Sequence, residues 1–315
     1  MAVVETNSFE SIVDVNSAKV LVGLIGEGIG QSLSPSLHEE EARCHGLKLH
    51  YQLIDLANPD VEKAGLSFLL TAAAAIGFRG LNITHPCKQA VIPLLDGLSA
   101  DAQALGAVNT VVIEQGRFVG HNTDWSGFSM GFRKALPEVS LRHVVLLGAG
   151  GAGAAVGHAI LKMGAQALSI ADTDSARAEA LASRLAAQHP GAHVVCVSDA
   201  AEALAGASGL IHATPTGMAK HPGMPIAEGA LAHRPWVAEV VYFPIETELL
   251  KAARARGCAV ADGGGMAVGQ AIGAFELFTR RKADAARMES HFRKLLDNNA
   301  RANARTSSVP RESPE

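Results

Sequence analysis

Apolar positions along this chain fall into short runs, separated by polar stretches rich in glycine and proline, and two spacings alternate. Residues 20–26 are a buried-strand run and residues 28–34 a loop. Residues 35–45 carry helical spacing, with Ser34 as the expected N-cap and Pro35 in the first turn. Residues 50–56 alternate as a strand, residues 60–75 are helical, and residues 77–84 return to strand. Pro86 suits the first turn of a helix that carries Lys88. A short helix follows near residues 99–105, then strands over 108–113 and 117–121 around a Gln115-Gly116 turn. This β-α-β-α-β-α order predicts an open, mostly parallel sheet.

The pattern restarts in the second half. Strands are predicted over residues 143–147, 167–171, 193–197, 209–214, 237–242 and 259–260, with helices over 152–163, 175–188 and 246–256. Two more helices, 266–280 and 283–298, finish the fold. Residues 1–18 lack periodicity and read as a flexible arm. Residues 301–315 are polar, with Pro310 and Pro314, and read as a disordered tail.

Composition narrows the picture. The 315 residues are 48% hydrophobic and 18% charged, ample for a core and long enough for about two domains. A net charge of -4 with scattered basic residues argues against a nucleic-acid partner. Every apolar stretch falls short of the ~20 residues a membrane span needs. Glu5, Glu10 and Asp14 replace the basic-then-apolar pattern of a secretion signal, so a cytoplasmic protein is expected. Cys44, Cys87, Cys196 and Cys258 form no CxxC pair and no metal-ligand spacing, so reduced thiols and no metal are expected. Cys87 adjoins Lys88 at a helix start, where a cation and free N–H groups would favour its thiolate; an incidental small residue is the plainer reading.

Gly148-Ala149-Gly150-Gly151-Ala152-Gly153 is GxGxxG between an apolar strand and an alanine-rich helix, the context that gives this motif meaning. Gly148 permits a tight turn, Gly150 a close approach to pyrophosphate, and Gly153 close helix–strand packing. The next strand ends at Asp172, about 20 residues on, where an acid suits the free ribose hydroxyls of NAD and repels the 2′-phosphate of NADP. Asp172 can instead cap the following helix, a task open equally to Asp174.

Further polar patches lie at strand ends in the first half: Gln31-Ser32-Leu33-Ser34, Asn82-Ile83-Thr84, Asn109-Thr110 and His121-Asn122-Thr123-Asp124. Their convergence beyond the carboxyl ends of a parallel sheet suits a polyhydroxylated ligand, and each also reads as a turn or cap. Lys88 stands among them as either a solvated charge or an amine placed to exchange a proton. His121 has the right unperturbed pKa for a base, but an ordinary strand-end histidine is the plainer reading.

Taken in order, Ser32-Leu-Ser34-Pro35, Asn82-Ile-Thr84-His-Pro-Cys-Lys88, Gly106-Ala-Val-Asn109-Thr110, Asn122-Thr-Asp124, the glycine loop, Ala213-Thr-Pro-Thr-Gly-Met218 and Asp262-Gly-Gly-Gly-Met266 with Gln270 resemble the shikimate dehydrogenases, including the quinate/shikimate dehydrogenases. The resemblance spans about residues 20–295. It implies a two-domain α/β enzyme. A substrate domain over 19–124 and 265–300 would have an open, mostly parallel sheet, and a Rossmann NAD-binding domain would occupy 125–264. It implies that Ser32 and Ser34 meet the carboxylate end of a small polyhydroxylated cyclic carboxylate. Asn82, Thr84, Asn109, Asp124 and Gln270 would meet its hydroxyls, with Tyr242 nearby, and Lys88 and Asp124 would be the catalytic pair. Thr214, Met218, Val240 and Gly263 would neighbour the cofactor. Many NADP-using members carry Asn-Arg-Thr where this chain has Asp172-Thr173-Asp174, which agrees with NAD over NADP. Residues 241–250 and the His121-Asn-Thr-Asp124 form look like the NAD-using quinate/shikimate branch, whereas Ser34 looks like shikimate specialists. Monomer and homodimer stay open, as do quinate or an aminoshikimate as substrate and a non-catalytic dinucleotide-binding module. A metal-dependent lyase finds no ligand set in the sequence.

Overall fold

The computed structural model describes residues 19–307. The arm expected over 1–18 lies outside them. Six strands form the first sheet: β1 (Lys19–Gly26), β2 (Lys48–Asp55), β3 (Phe78–Ile83), β4 (Gly97–Leu98), β5 (Thr110–Glu114) and β6 (Arg117–His121), in the order β2-β1-β3-β5-β6-β4. All neighbours are parallel except those of β5, which runs against both β3 and β6. The tight turn between β5 and β6 requires their antiparallel pairing, because a parallel pair needs a long crossover.

The first-half helices are α1 (Ser34–Cys44), α2 (Pro59–Ala64), α3 (Leu66–Ala75), α4 (Cys87–Ala90) and α5 (Ala100–Leu105). Ser34 is the first residue of α1 and not its cap; Leu33 holds that position without a side-chain bond. The single helix expected over 60–75 is two, broken at Gly65, whose φ of 79° is left-handed. Lys88 sits on a helix of only four residues.

Residues 124–135, unassigned from the sequence, form α6 (Asp124–Ala135). The second sheet follows: β7 (Val144–Leu147), β8 (Ala167–Ala171), β9 (His193–Cys196), β10 (Gly209–His212), β11 (Trp236–Glu239) and β12 (Val260–Ala261). It is wholly parallel in the order β12-β11-β10-β7-β8-β9, the doubly wound arrangement whose order reverses between β7 and β10. Its helices are α7 (Gly151–Lys162), α8 (Ser175–Gln188), α9 (Ala200–Leu204) and α10 (Glu248–Ala255). Along β7, Val144 and Leu146 enter one core and Val145 and Leu147 another. Both faces are therefore covered, which is why the strand reads as an unbroken apolar run.

The chain ends with α11 (Gly264–Thr279) and α12 (Ala285–Ser307). Residues 301–307, expected as disordered tail, continue α12, and 308–315 lie outside the described residues. Ala274 and Phe278 of α11 pack with Val20, Val22 and Leu24 of β1, so the C-terminal helices return to the first sheet. At α6, α11 meets glycine with glycine: a Cβ on Gly269 would lie 2.6 Å from the Gly127 carbonyl oxygen.

Candidate active site

β1, β2 and β3 end side by side, with Gly26 paired to Asp55 and Ile25 to Ile83. The loops that follow carry the polar patches. Asp55 accepts hydrogen bonds from Gly28 N at 2.8 Å and Ile29 N at 3.0 Å, fixing the loop that leads to Ser32 and Ser34. Ser32 Oγ accepts from Ser34 N at 3.3 Å. Thr84 donates its N–H to Ile25 O at 2.9 Å, and its carbonyl accepts the Cys87 N–H at 2.8 Å, which sets the turn into α4.

That turn delivers Lys88 to Asp124, with Nζ 2.6 Å from Oδ2. The Asp124 side chain is 9% exposed and that of Lys88 24%, so the pair is shielded but open on the lysine side. Asn109 Nδ2 donates to the other carboxylate oxygen at 2.8 Å and to Thr123 Oγ1 at 2.9 Å. Asn109 Oδ1 accepts from Thr123 N at 2.7 Å and Thr110 Oγ1 at 3.0 Å. Asn82 donates to Asn109 O at 3.2 Å and Thr110 Oγ1 at 3.0 Å, and accepts from the Tyr51 hydroxyl at 2.8 Å. Both amides, expected as ligands of substrate hydroxyls, thus spend their N–H groups inside the protein. Asn109 holds Asp124 directly, and Asn82 braces Asn109 through its carbonyl. Asn82 Oδ1 accepts only from Tyr51 among the described residues, and so keeps a lone pair with which to accept from a ligand. Gln270 comes close to the same point: a Cβ on Gly127, one turn past Asp124, would lie 2.4 Å from Gln270 N.

The second sheet presents its own strand ends. Leu147, Ala171, His212 and Glu239 close β7, β8, β10 and β11 at one level. Gly148, with φ of 101°, turns out of β7 in a conformation that side chains rarely adopt. The start of α7 has Gly150 as N-cap and no side-chain cap, which leaves free N–H groups aimed out of the helix. A Cβ on Gly150 would meet nothing within 4 Å among the described residues, so the backbone there is open to close approach. Ala149 N donates to Asp172 Oδ2 at 2.7 Å, and Asp174 N to Asp172 Oδ1 at 2.9 Å. Asp174 caps α8, accepting from Arg177 N at 3.1 Å. Asp172 is therefore not the cap. Partial burial pushes its carboxyl up, and the two N–H groups, the Arg177 charge and the Thr173 hydroxyl together more than offset this, so it titrates below its ordinary range.

Thr214 lies across the switch point, its Cγ2 3.0 Å from where a Gly148 Cβ would stand. A Cβ on Gly263 would lie 2.5 Å from Val240 O, so these two are backbone neighbours. Met218 and Tyr242 are each 40% exposed, and the Tyr242 ring centroid is 6.1 Å from that of Phe292. The two faces meet at Lys88, whose Cδ is 4.0 Å from a Cβ built on Gly151.

A family model described as Shikimate dehydrogenase substrate binding domain matches residues 24–111. The shikimate dehydrogenase (NADP(+)) of Streptomyces avermitilis is 55% identical over 270 residues, 85% of this chain and 93% of that protein. The chain belongs to the shikimate dehydrogenase family. Its members are NAD(P)-dependent oxidoreductases, and so is this protein. The quinate/shikimate dehydrogenase (NAD(+)) of Corynebacterium efficiens is 46% identical over 284 residues, 89% of this chain and 100% of the relative. Among solved structures, the quinate dehydrogenase from Corynebacterium glutamicum in complex with NAD matches with a TM-score of 0.84 at 46% identity, covering 88% of this chain and 100% of that one.

In this shikimate dehydrogenase family member, sequence reasoning missed the groups behind the site. Tyr51 is buried and orients the Asn82 amide; its only signal was an aromatic at an inward position of a polar strand. His38 lies 4.8 Å from Tyr51, centroid to centroid, with Nδ1 2.9 Å from Ser34 O and a buried Nε2 that has no partner among the described residues. Burial lowers its pKa from 6.5 to about 4, against the Ser34 carbonyl, which raises it. The unfolded chain therefore binds a proton before the folded one does. Stability is fully present above pH 6.5 and falls by about 3 kcal/mol as the pH drops to about 4. Denaturant unfolding of wild type and His38→Gln across this range checks it: the two stabilities should converge on acidification, and a constant gap would remove His38 as the cause. Cys87 follows its plainer reading as an incidental small residue and not the activated one. Burial pushes the thiol up, and Glu27 adds to this.

Proposed function

We propose that the protein interconverts shikimate and 3-dehydroshikimate, with NAD preferred over NADP. The observation that carries this is the 2.6 Å Lys88–Asp124 contact set against the glycine loop. The division of labour follows the fold: residues 19–124 with 265–300 hold the substrate, and 125–264 hold the dinucleotide. When bound, the dinucleotide takes the hydride from the alcohol carbon. Lys88 Nζ exchanges the hydroxyl proton, and Asp124 orients both the amine and the hydroxyl. Ser32, on the loop tied by Asp55, and Ser34, at the start of α1, meet the substrate carboxylate. Thr84 and Gln270 flank its ring hydroxyls, with Tyr242 at the open side.

NAD is supported by Asp172. Its carboxylate stays ionised at the end of β8, where a 2′-phosphate would meet a like charge. The nearby cation, Arg177, already pairs with Asp174 at 3.3 Å. Named relatives fall on both sides, NADP(+) in Streptomyces avermitilis and NAD(+) in Corynebacterium efficiens. Quinate is the second reading, favoured by the likeness to the Corynebacterium glutamicum quinate dehydrogenase. Initial rates with shikimate or quinate against NAD or NADP test both choices. The highest kcat/KM is expected for shikimate with NAD. Activity confined to NADP would overturn the cofactor assignment, and a higher value for quinate the substrate assignment.

A further inference from the structure

The second sheet buries an acid–base pair that the proposed chemistry does not use. His212 ends β10, Glu239 ends β11, and the two are register partners with essentially no exposure. His212 Nδ1 is 2.8 Å from Glu239 Oε1 and 3.0 Å from Oε2. The carboxylate also accepts from Val240 N at 2.9 Å, Val241 N at 3.0 Å and Thr247 Oγ1 at 3.0 Å. So many donors on one buried carboxylate mark a built site.

The other ring nitrogen faces the cleft side. His212 Nε2 is 2.5 Å from Thr214 Oγ1, which also accepts from Thr216 N at 3.3 Å. Thr214 is partly exposed and adjoins Gly148 at the point where the strand order reverses. We infer that Glu239 and His212 are positioning residues that hold the Thr214 hydroxyl and the Val240–Val241 backbone for the nicotinamide half of the dinucleotide. The inference rests on reading this face as a dinucleotide site.

The chemistry of the chain of bonds sets a direction. Nδ1 faces a carboxylate and so carries a proton. A neutral imidazole then offers Nε2 as an acceptor and takes the Thr214 O–H. That leaves Oγ1 without a proton to give, so it accepts from a donor on the ligand, a ribose hydroxyl or a carboxamide N–H. Glu239 meanwhile fixes the two N–H groups that follow β11, so one carboxylate governs both walls of the crevice.

The test separates this role from general stability. Asn at position 212 is long enough to keep a donor on Glu239 and too short to reach Thr214. NAD binding is measured by calorimetry on His212→Asn, Thr214→Ala, Thr214→Ser and the double variant His212→Asn/Thr214→Ala, alongside melting of the free protein. Loss of one positioned hydrogen bond predicts NAD affinity weaker by about tenfold in His212→Asn and in Thr214→Ala, with recovery in Thr214→Ser. The double variant should bind no worse than Thr214→Ala alone, because His212 acts through Thr214. KM for shikimate should stay within about twofold, since the lost bond lies on the dinucleotide side. Thr214→Ala leaves the buried pair intact, so it decides the matter even if the His212 variant does not fold. Unchanged NAD affinity in Thr214→Ala, or multiplying losses in the double variant, would overturn the inference. Wild type that binds neither NAD nor NADP would overturn the dinucleotide reading together with it.

Discussion

Lys88→Ala should lower turnover by about 10²–10⁴-fold, the usual contribution of a positioned proton-transfer group, and leave NAD affinity within about twofold. The ammonium lies 2.6 Å from a carboxylate that Asn109 holds from its other side. With the lysine side chain 24% exposed, water can take the vacated place and the rest of the network persists. Lys88→Arg sharpens the result. Arginine keeps the positive charge beside Asp124 but does not release a proton at accessible pH. Low turnover in both variants assigns proton exchange to Lys88. Full activity in the arginine variant would reduce the residue to an electrostatic role, and near-normal turnover in the alanine variant would end the assignment.

Gly153→Ala is the second large effect expected. Its Cβ would stand 1.9 Å from the Gly148 carbonyl oxygen. Gly148 cannot retreat freely, because its N–H is bonded to Ala171 O at 2.8 Å. Nor can α7, whose Val156, Ala159 and Ile160 are fully buried in the core against the sheet. The loop must deform, at a cost of about 1–3 kcal/mol in stability and about 10- to 100-fold in NAD affinity. Gly191→Ala is the control, since it stands outside the loop and its Cβ would meet nothing within 4 Å among the described residues. Calorimetric titration with NAD and denaturant unfolding measure the two quantities. Wild-type affinity in Gly153→Ala would show that this glycine is not needed for the cradle.

Much of this site was legible before any fold was known, and the reason is locality. The glycine loop, its strand and its helix lie within about 20 consecutive residues, and their spacing alone states the geometry. The same holds for Asn82 to Lys88, where a strand ends, a turn forms and a lysine is presented within seven residues. Helix α6 was missed for the complementary reason. Gly127 and Gly131 weaken its intrinsic propensity by about 1 kcal/mol each relative to alanine. What stabilises it is the close packing those glycines permit against Gly265 and Gly269 of α11, more than 100 residues away.

The sequence by itself determined the order of elements, the doubly wound second half, the dinucleotide loop and the residues offered as the catalytic pair, because periodicity and turn chemistry act between neighbours. Only the tertiary structure decided what those residues are bonded to. It broke the helix at Gly65, ended β11 at Glu239 instead of residue 242, and assigned the α8 cap to Asp174 while Asp172 ties the glycine loop. It also placed Tyr51 behind Asn82 and His212 against Glu239. Each of these is a contact between segments far apart in the chain. A buried polar group finds its partner wherever the fold brings one, and no local spacing encodes that.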